Sequence, residues 1–163
     1  MKNRFKIRVA LLALFLMLIQ LHANKTIAVD LCEQIAYAYE DGKVVFSGRI
    51  SSGVPSRRTP TGTFTILEKK KKHKSSLWPK PNGGAKMDYL LRLTWDGIAM
   101  HLGPVPNHPA SHGCIRMQRG FAEKMWRWAD TGMEVTVEGM PPHIVNVNRM
   151  FPWRYETTWL EGW

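Results

Sequence analysis

The sequence predicts a mainly β domain with one well-formed helix, and three observations lead there. Apolar residues recur at every second position in six or more short runs. Asp-Gly pairs and Pro/Gly-containing turns punctuate those runs. Only one segment, 119–130, carries an apolar stripe at three-to-four spacing. At 163 residues there is room for one domain with a real core. No internal repeat appears, and the only biased tract is a short lysine run.

The first residues, MKNRFKIR, are basic, and the apolar run 9–21 that follows has the length of a signal-peptide core rather than of a bilayer span. Cleavage after Ala23 is the expectation. Leu21 stands where a small residue is usual, so the alternative is an uncleaved anchor that associates with a membrane through 9–21. Cys32, after Val-Asp-Leu, does not look like a lipid-attachment cysteine. The expected organisation is a signal or anchor over 1–23, a domain over 24–139, and a Trp/Pro-rich tail over 140–163 that packs on the domain. The formal charge is +10, of which Lys2, Arg4, Lys6 and Arg8 supply four. Such a surface favours anionic surroundings without choosing among them.

Within the domain, Ile27, Val29 and Leu31, then Ile35, Tyr37 and Tyr39, keep a two-residue period, so 25–40 reads as strand with Cys32 inside it. Asp41-Gly42 predicts a hairpin turn into a strand over 43–50. Thr59-Pro60-Thr61-Gly62 predicts a defined turn before a strand over 63–67. Residues 68–86 are the least regular: four lysines at 69–72, then His73 and Lys74, then prolines and glycines, read as a solvated basic loop suited to lining a substrate groove. Nucleic acid is excluded as its partner, since Trp78 is the only stacking aromatic interleaved with the charges and the chain is expected to be exported. Two more strands fill 87–101 around an Asp96-Gly97 turn, which puts His101 at a strand end. The next loop is stiffened by Pro104, Pro106 and Pro109. After the helix, Thr131-Gly132 leads to a last strand over 133–137.

Chemistry concentrates in 100–117, MHLGPVPNHPASHGCIRM, which holds His101, His108, His112 and Cys114. Three readings compete. In the first, Cys114 is a nucleophile whose proton goes to His101 or His112. An extended backbone would turn adjacent His112 to the opposite face, which favours His101, and Gly113 would let its own amide and that of Cys114 face an oxyanion. In the second, His108 and His112 begin a zinc site completed by Cys114 or His101, although Pro109 rules out one helical face. In the third, a buried thiol lies among structural histidines. A Cys32–Cys114 disulfide has no local geometry to support it. The crowding of imidazole, glycine and thiol favours the nucleophile and leaves His108 without a role.

These residues resemble the L,D-transpeptidases of the YkuD type, whose signature is a histidine followed at a distance by S/T-H-G-C. Here that is Met100-His101, the proline loop, then Ser111-His112-Gly113-Cys114-Ile115-Arg116. VDLCEQIAYAYEDGKVV, TPTGTF and MDYLLRLTWDGIAMH extend the likeness over about 27–137. The resemblance implies a β-sandwich or barrel domain with its main helix after the catalytic cysteine. It implies Cys114 as nucleophile and His101 as base, with His112 and Gly113 supporting the thiol and the oxyanion hole. Ser111 would orient the turn, while Tyr89 and Arg116 would meet the donor peptide. The spacing from His101 to Ser111 is shorter than in many members, and Arg116 stands where some have asparagine.

The implied reaction is acyl transfer on peptidoglycan stem peptides through a thioester, with no cofactor and no metal, in the periplasm or cell envelope. An L,D-carboxypeptidase or hydrolase on the same scaffold is the alternative. From other classes come a zinc-dependent peptidase and a noncatalytic wall-binding module.

Overall fold

The computed structural model describes residues 24–80, 83–106 and 108–141. The expected leader, 1–23, and nearly all of the expected tail lie outside the described residues. Among the described residues, eleven strands and one helix follow in the order β1 (Lys25–Asp30), β2 (Ile35–Glu40), β3 (Lys43–Ser51), β4 (Gly62–Thr65), β5 (Glu68–Lys70), β6 (Lys74–Lys80), β7 (Gly83–Lys86), β8 (Leu90–Arg92), β9 (Ala99–Leu102), β10 (Ile115–Met117), α1 (Arg119–Trp128) and β11 (Glu134–Glu138).

Nine strands form one sheet in the order β4-β11-β1-β2-β3-β10-β9-β8-β5. Its two edge strands are neighbours in sequence. Ile66 N–H donates to Met133 O and Leu67 N–H to Arg92 O, so consecutive residues bond to opposite ends of the sheet. The sheet must therefore curl until its ends meet, which is the barrel-like architecture expected. Inside sit Ile27, Val29, Leu31, Met100, Ile115, Met117, Val135 and Val137. Ala122, Met125 and Ala129 of the helical stripe are buried against them. Helix and sheet approach closely at Gly48, where a Cβ would come within 2.3 Å of the Phe121 ring.

Two expectations change. Residues 25–40 are two antiparallel strands, not one, and Cys32 lies exposed in the turn between them. The Asp30 carboxylate accepts the N–H groups of Cys32 at 2.7 Å and Glu33 at 3.0 Å, which offers the backbone a turn in place of a ladder. Gln34 completes the reversal at φ +56. The turn also exchanges faces: Ala36 and Ala38 point into the core, whereas Tyr37 and Tyr39 lie on the outer side with ring centroids 6.4 Å apart. The second change is over 68–86. This is not an irregular loop: β5 joins the large sheet, and β6 and β7 pair as a separate hairpin. Cys32 and Cys114 are both free thiols. The Asp41-Gly42 turn forms as expected, with φ of +51 and +74, the left-handed pair that a two-residue hairpin needs.

Candidate active site

Strand alternation separates the site from the core. In β9, Met100 and Leu102 pack on the core, so Ala99 and His101 take the other face. In β10, Ile115 and Met117 do the same, which leaves Arg116 on the His101 face. The two strands run parallel with Arg116 directly opposite His101, and Cys114 packs against the Met87, Leu90 and Ala99 cluster on that side. His101, Cys114 and Arg116 thus share one surface of two adjacent strands.

The protonation states follow from burial and partners. His101 is buried, and its Nδ1 lies 2.8 Å from the carbonyl of Leu102. A carbonyl only accepts, so Nδ1 carries the proton and Nε2 keeps the lone pair. Burial, with the nearby Arg116 charge adding to it, lowers the imidazole pKa to about 4. Burial pushes the Cys114 thiol above its ordinary value, and its proton points to the Gly97 carbonyl at 3.3 Å. At rest both the imidazole and the thiol on this face are neutral. Arg116, half-buried, has no carboxylate partner among the described residues.

The turn carrying Cys114 rests on buried polar groups. Ser111 Oγ donates to the carbonyl of Cys114 and accepts the Gly113 N–H at 3.1 Å. That amide is therefore spent within the turn, and the oxyanion role expected of it is not its role in this state. Gly113 is required for another reason: its φ is +111, and a Cβ would stand 3.1 Å from Ile98 Cδ1. Below it, Thr59 Oγ1 donates to Gly113 O and accepts Gly53 N–H, both at 2.9 Å. The Ser52 carbonyl accepts the N–H groups of Ala110 and Ser111, while the Ser52 N–H donates to Gln34 Oε1. Thr59, Ser52 and Gln34 were absent from the sequence-predicted site. Thr59 had a signal, the Thr-Pro-Thr-Gly string, but nothing local ties that string to Gly113.

The other expected residues are dispersed. His112 is exposed, and slight burial and the charges of Arg57 and Arg116 lower its pKa. The Tyr89 ring packs on Trp126 of α1 at 6.1 Å, against the core. The His108 side chain is exposed, and its carbonyl accepts the Ser51 hydroxyl. Among the described residues no group of three His, Cys, Asp or Glu side chains could hold a metal ion.

Comparison with known proteins bears on the same segment. The profile of the YkuD L,D-transpeptidase catalytic domain matches residues 24–137. The chain is 32% identical over 100 residues to probable L,D-transpeptidase 3 of Mycobacterium tuberculosis, an overlap of 54% of this chain and 37% of that one. Among solved structures, an L,D-transpeptidase from Mycobacterium smegmatis superposes with a TM-score of 0.65 at 26% identity, covering 72% of this chain and 59% of that one. One from Stackebrandtia nassauensis gives 0.66 at 27% identity, covering 73% and 57%. The chain spans less than two thirds of the length of each of these relatives.

Proposed function

Since the chain belongs to the YkuD L,D-transpeptidase catalytic-domain family, we propose that it transfers acyl groups between peptidoglycan stem peptides through a thioester on Cys114. The observation that carries this reading is the pairing of β9 with β10, which sets a neutral, Nε2-accepting His101 and the Cys114 thiol on one face. Substrate entering over that face displaces the weak thiol contact to Gly97 O. His101 Nε2 takes the thiol proton as Sγ attacks the carbonyl before the terminal D-residue. Collapse of the tetrahedral intermediate expels the amine of that residue, which takes the proton from His101, and the thioester remains. An acceptor amine then attacks the thioester and gives its proton to His101; collapse of the second tetrahedral intermediate expels Sγ, which takes that proton from His101 to restore the thiol and the neutral imidazole.

Arg116, opposite His101 and without a carboxylate of its own among the described residues, supplies a fork of donors to a substrate carboxylate. The neutral resting pair supports proton transfer concerted with attack rather than a preformed thiolate. The domain over 24–139 is the catalytic unit in this reading. Residues 1–23 direct export to the periplasm or envelope, or anchor the chain there through 9–21.

Intact-mass spectrometry after incubation with a stem tetrapeptide tests the proposal. The expected result is an acyl adduct lacking the terminal D-residue, absent in Cys114→Ala and formed far more slowly in His101→Ala. Turnover without an adduct, or an adduct surviving Cys114→Ala, would overturn it. Adding an amine acceptor in the same experiment separates transfer from hydrolysis by the mass of the product.

A further inference from the structure

A concavity of about 360 Å³ opens beside the His101 strand and is lined by Lys72, His73, Lys74, Lys86 and Asp88. Its charge arrangement is costly for the protein alone. Lys74 and Lys86 are register partners across β6 and β7, and like charges directly opposite one another destabilise a strand pair. Among the described residues Asp88 is the only carboxylate in the lining, and it pairs with Lys72 at 3.0 Å. Among the described residues no carboxylate lies within ion-pair distance of Lys74 or Lys86. Two ammonium groups thus stand opposite one another, and the Asp88 carboxylate, whose charge Lys86 also feels, is already ion-paired to Lys72.

The cleft is joined to the thiol through Met87. The Met87 side chain belongs to the apolar cluster against which Cys114 packs, and its N–H donates to the His73 carbonyl at 2.9 Å. Its chain neighbours, Lys86 and Asp88, line the cleft. The Asp88 carbonyl accepts the N–H of Leu102, the residue after His101. A ligand in the cleft would therefore lie against the backbone that carries the catalytic imidazole.

We propose that this lysine cleft is a carboxylate subsite, holding an internal carboxylate of an acidic peptide whose reacting carbonyl lies at Cys114. The inference rests on the acyl-transfer reading for the identity of the peptide, but not for the anion preference. Lys74 and Lys86 would clamp the carboxylate, and its charge would relieve their mutual repulsion. His73, whose pKa burial and the charges of Arg92 and Lys70 lower, would add an uncharged hydrogen-bonding group at the rim.

The test uses the full chain carrying Cys114→Ser, so that affinity is read without turnover. Titration calorimetry compares a stem tetrapeptide with the same peptide whose internal carboxylates are amidated and whose terminal carboxylate is kept. The free-carboxylate form is expected to bind about fivefold tighter, the scale of two partly exposed charge contacts. Lys74→Gln with Lys86→Gln should bring the ratio to near one without lowering Tm, whereas Lys43→Gln, on the distant β2–β3 hairpin, should leave it unchanged. Raising salt to about 0.5 M should erase the preference independently of any variant.

Equal affinity for the two peptides, or a preference that survives the double substitution, would overturn the subsite. The two readings fail separately. A lysine-dependent preference in a chain that forms no acyl adduct would remove the transfer reading and keep the cleft; acylation with no carboxylate preference would do the reverse.

Discussion

Two regions flank the His101 strand and are held by opposite means. On one side, the Ser111–Gly113 turn rests on Thr59, Ser52 and Gln34, uncharged groups that satisfy one another away from water. On the other, the lysine hairpin and its cleft are tied by exposed ions such as Lys72 with Asp88. A buried hydrogen-bond donor or acceptor left unmatched costs about 1–3 kcal/mol, whereas an exposed ion pair is worth about 0–1 kcal/mol. The cysteine is therefore mounted on the stiff side. The charges that face an incoming ligand belong to the side that loses least when its contacts change.

That contrast can be broken most sharply at Gly53, where a Cβ would stand 2.1 Å from Arg57 O and 2.8 Å from Thr59 N. Gly53→Ala must push the 53–59 loop away from the turn. Thermal unfolding should show a loss on the order of 3 kcal/mol or more, with acylation reduced in parallel. The second effect concerns His101 and acid. Its folded pKa, about 4, lies below its unfolded value near 6.5, so the unfolded chain binds a proton the folded chain refuses. Stability is complete above pH 6.5 and declines as pH falls toward 4, by on the order of 3 kcal/mol, and His101→Gln should flatten that slope in urea titrations at a series of pH values.

Thr59→Val follows, with a loss of about 2 kcal/mol and slower alkylation of Cys114 by iodoacetamide, and Thr59→Ser should recover most of both. The alkylation rate of the unmodified chain should keep climbing above pH 9, since burial raises the thiol pKa; a plateau near neutrality would mean a preformed thiolate. The smallest effect belongs to the other flank. Lys72→Gln should change Tm by less than about 0.5 kcal/mol equivalent, because that side chain is 82% exposed.

Much of this was legible from residue order. Alternation marked β1, β4, β8 and β9, the Asp41-Gly42 turn marked β3, and the 119–130 stripe marked α1, because these signals concern residues within four positions of one another. The β1–β2 turn escaped because Leu31 continues the apolar alternation while the cause of the reversal, the Asp30 carboxylate, is a polar residue at an ordinary strand position. The β6–β7 hairpin escaped because lysines, prolines and glycines carry no period. Tyr89, which the resemblance places near the donor peptide, has a φ of +56 and packs its ring on Trp126, a contact that no local pattern announces.

The sequence by itself determined which groups could do chemistry: a thiol after a glycine, an imidazole at a strand end, and a stiff loop between them. Only the tertiary structure decided that His101 and Arg116 are register partners with Cys114 on their face, that Leu102 selects the tautomer, and that Thr59 reaches Gly113 across 54 positions. Strand pairing and burial are set by partners distant in the chain. Those partners fix orientation and proton affinity, which no local pattern encodes.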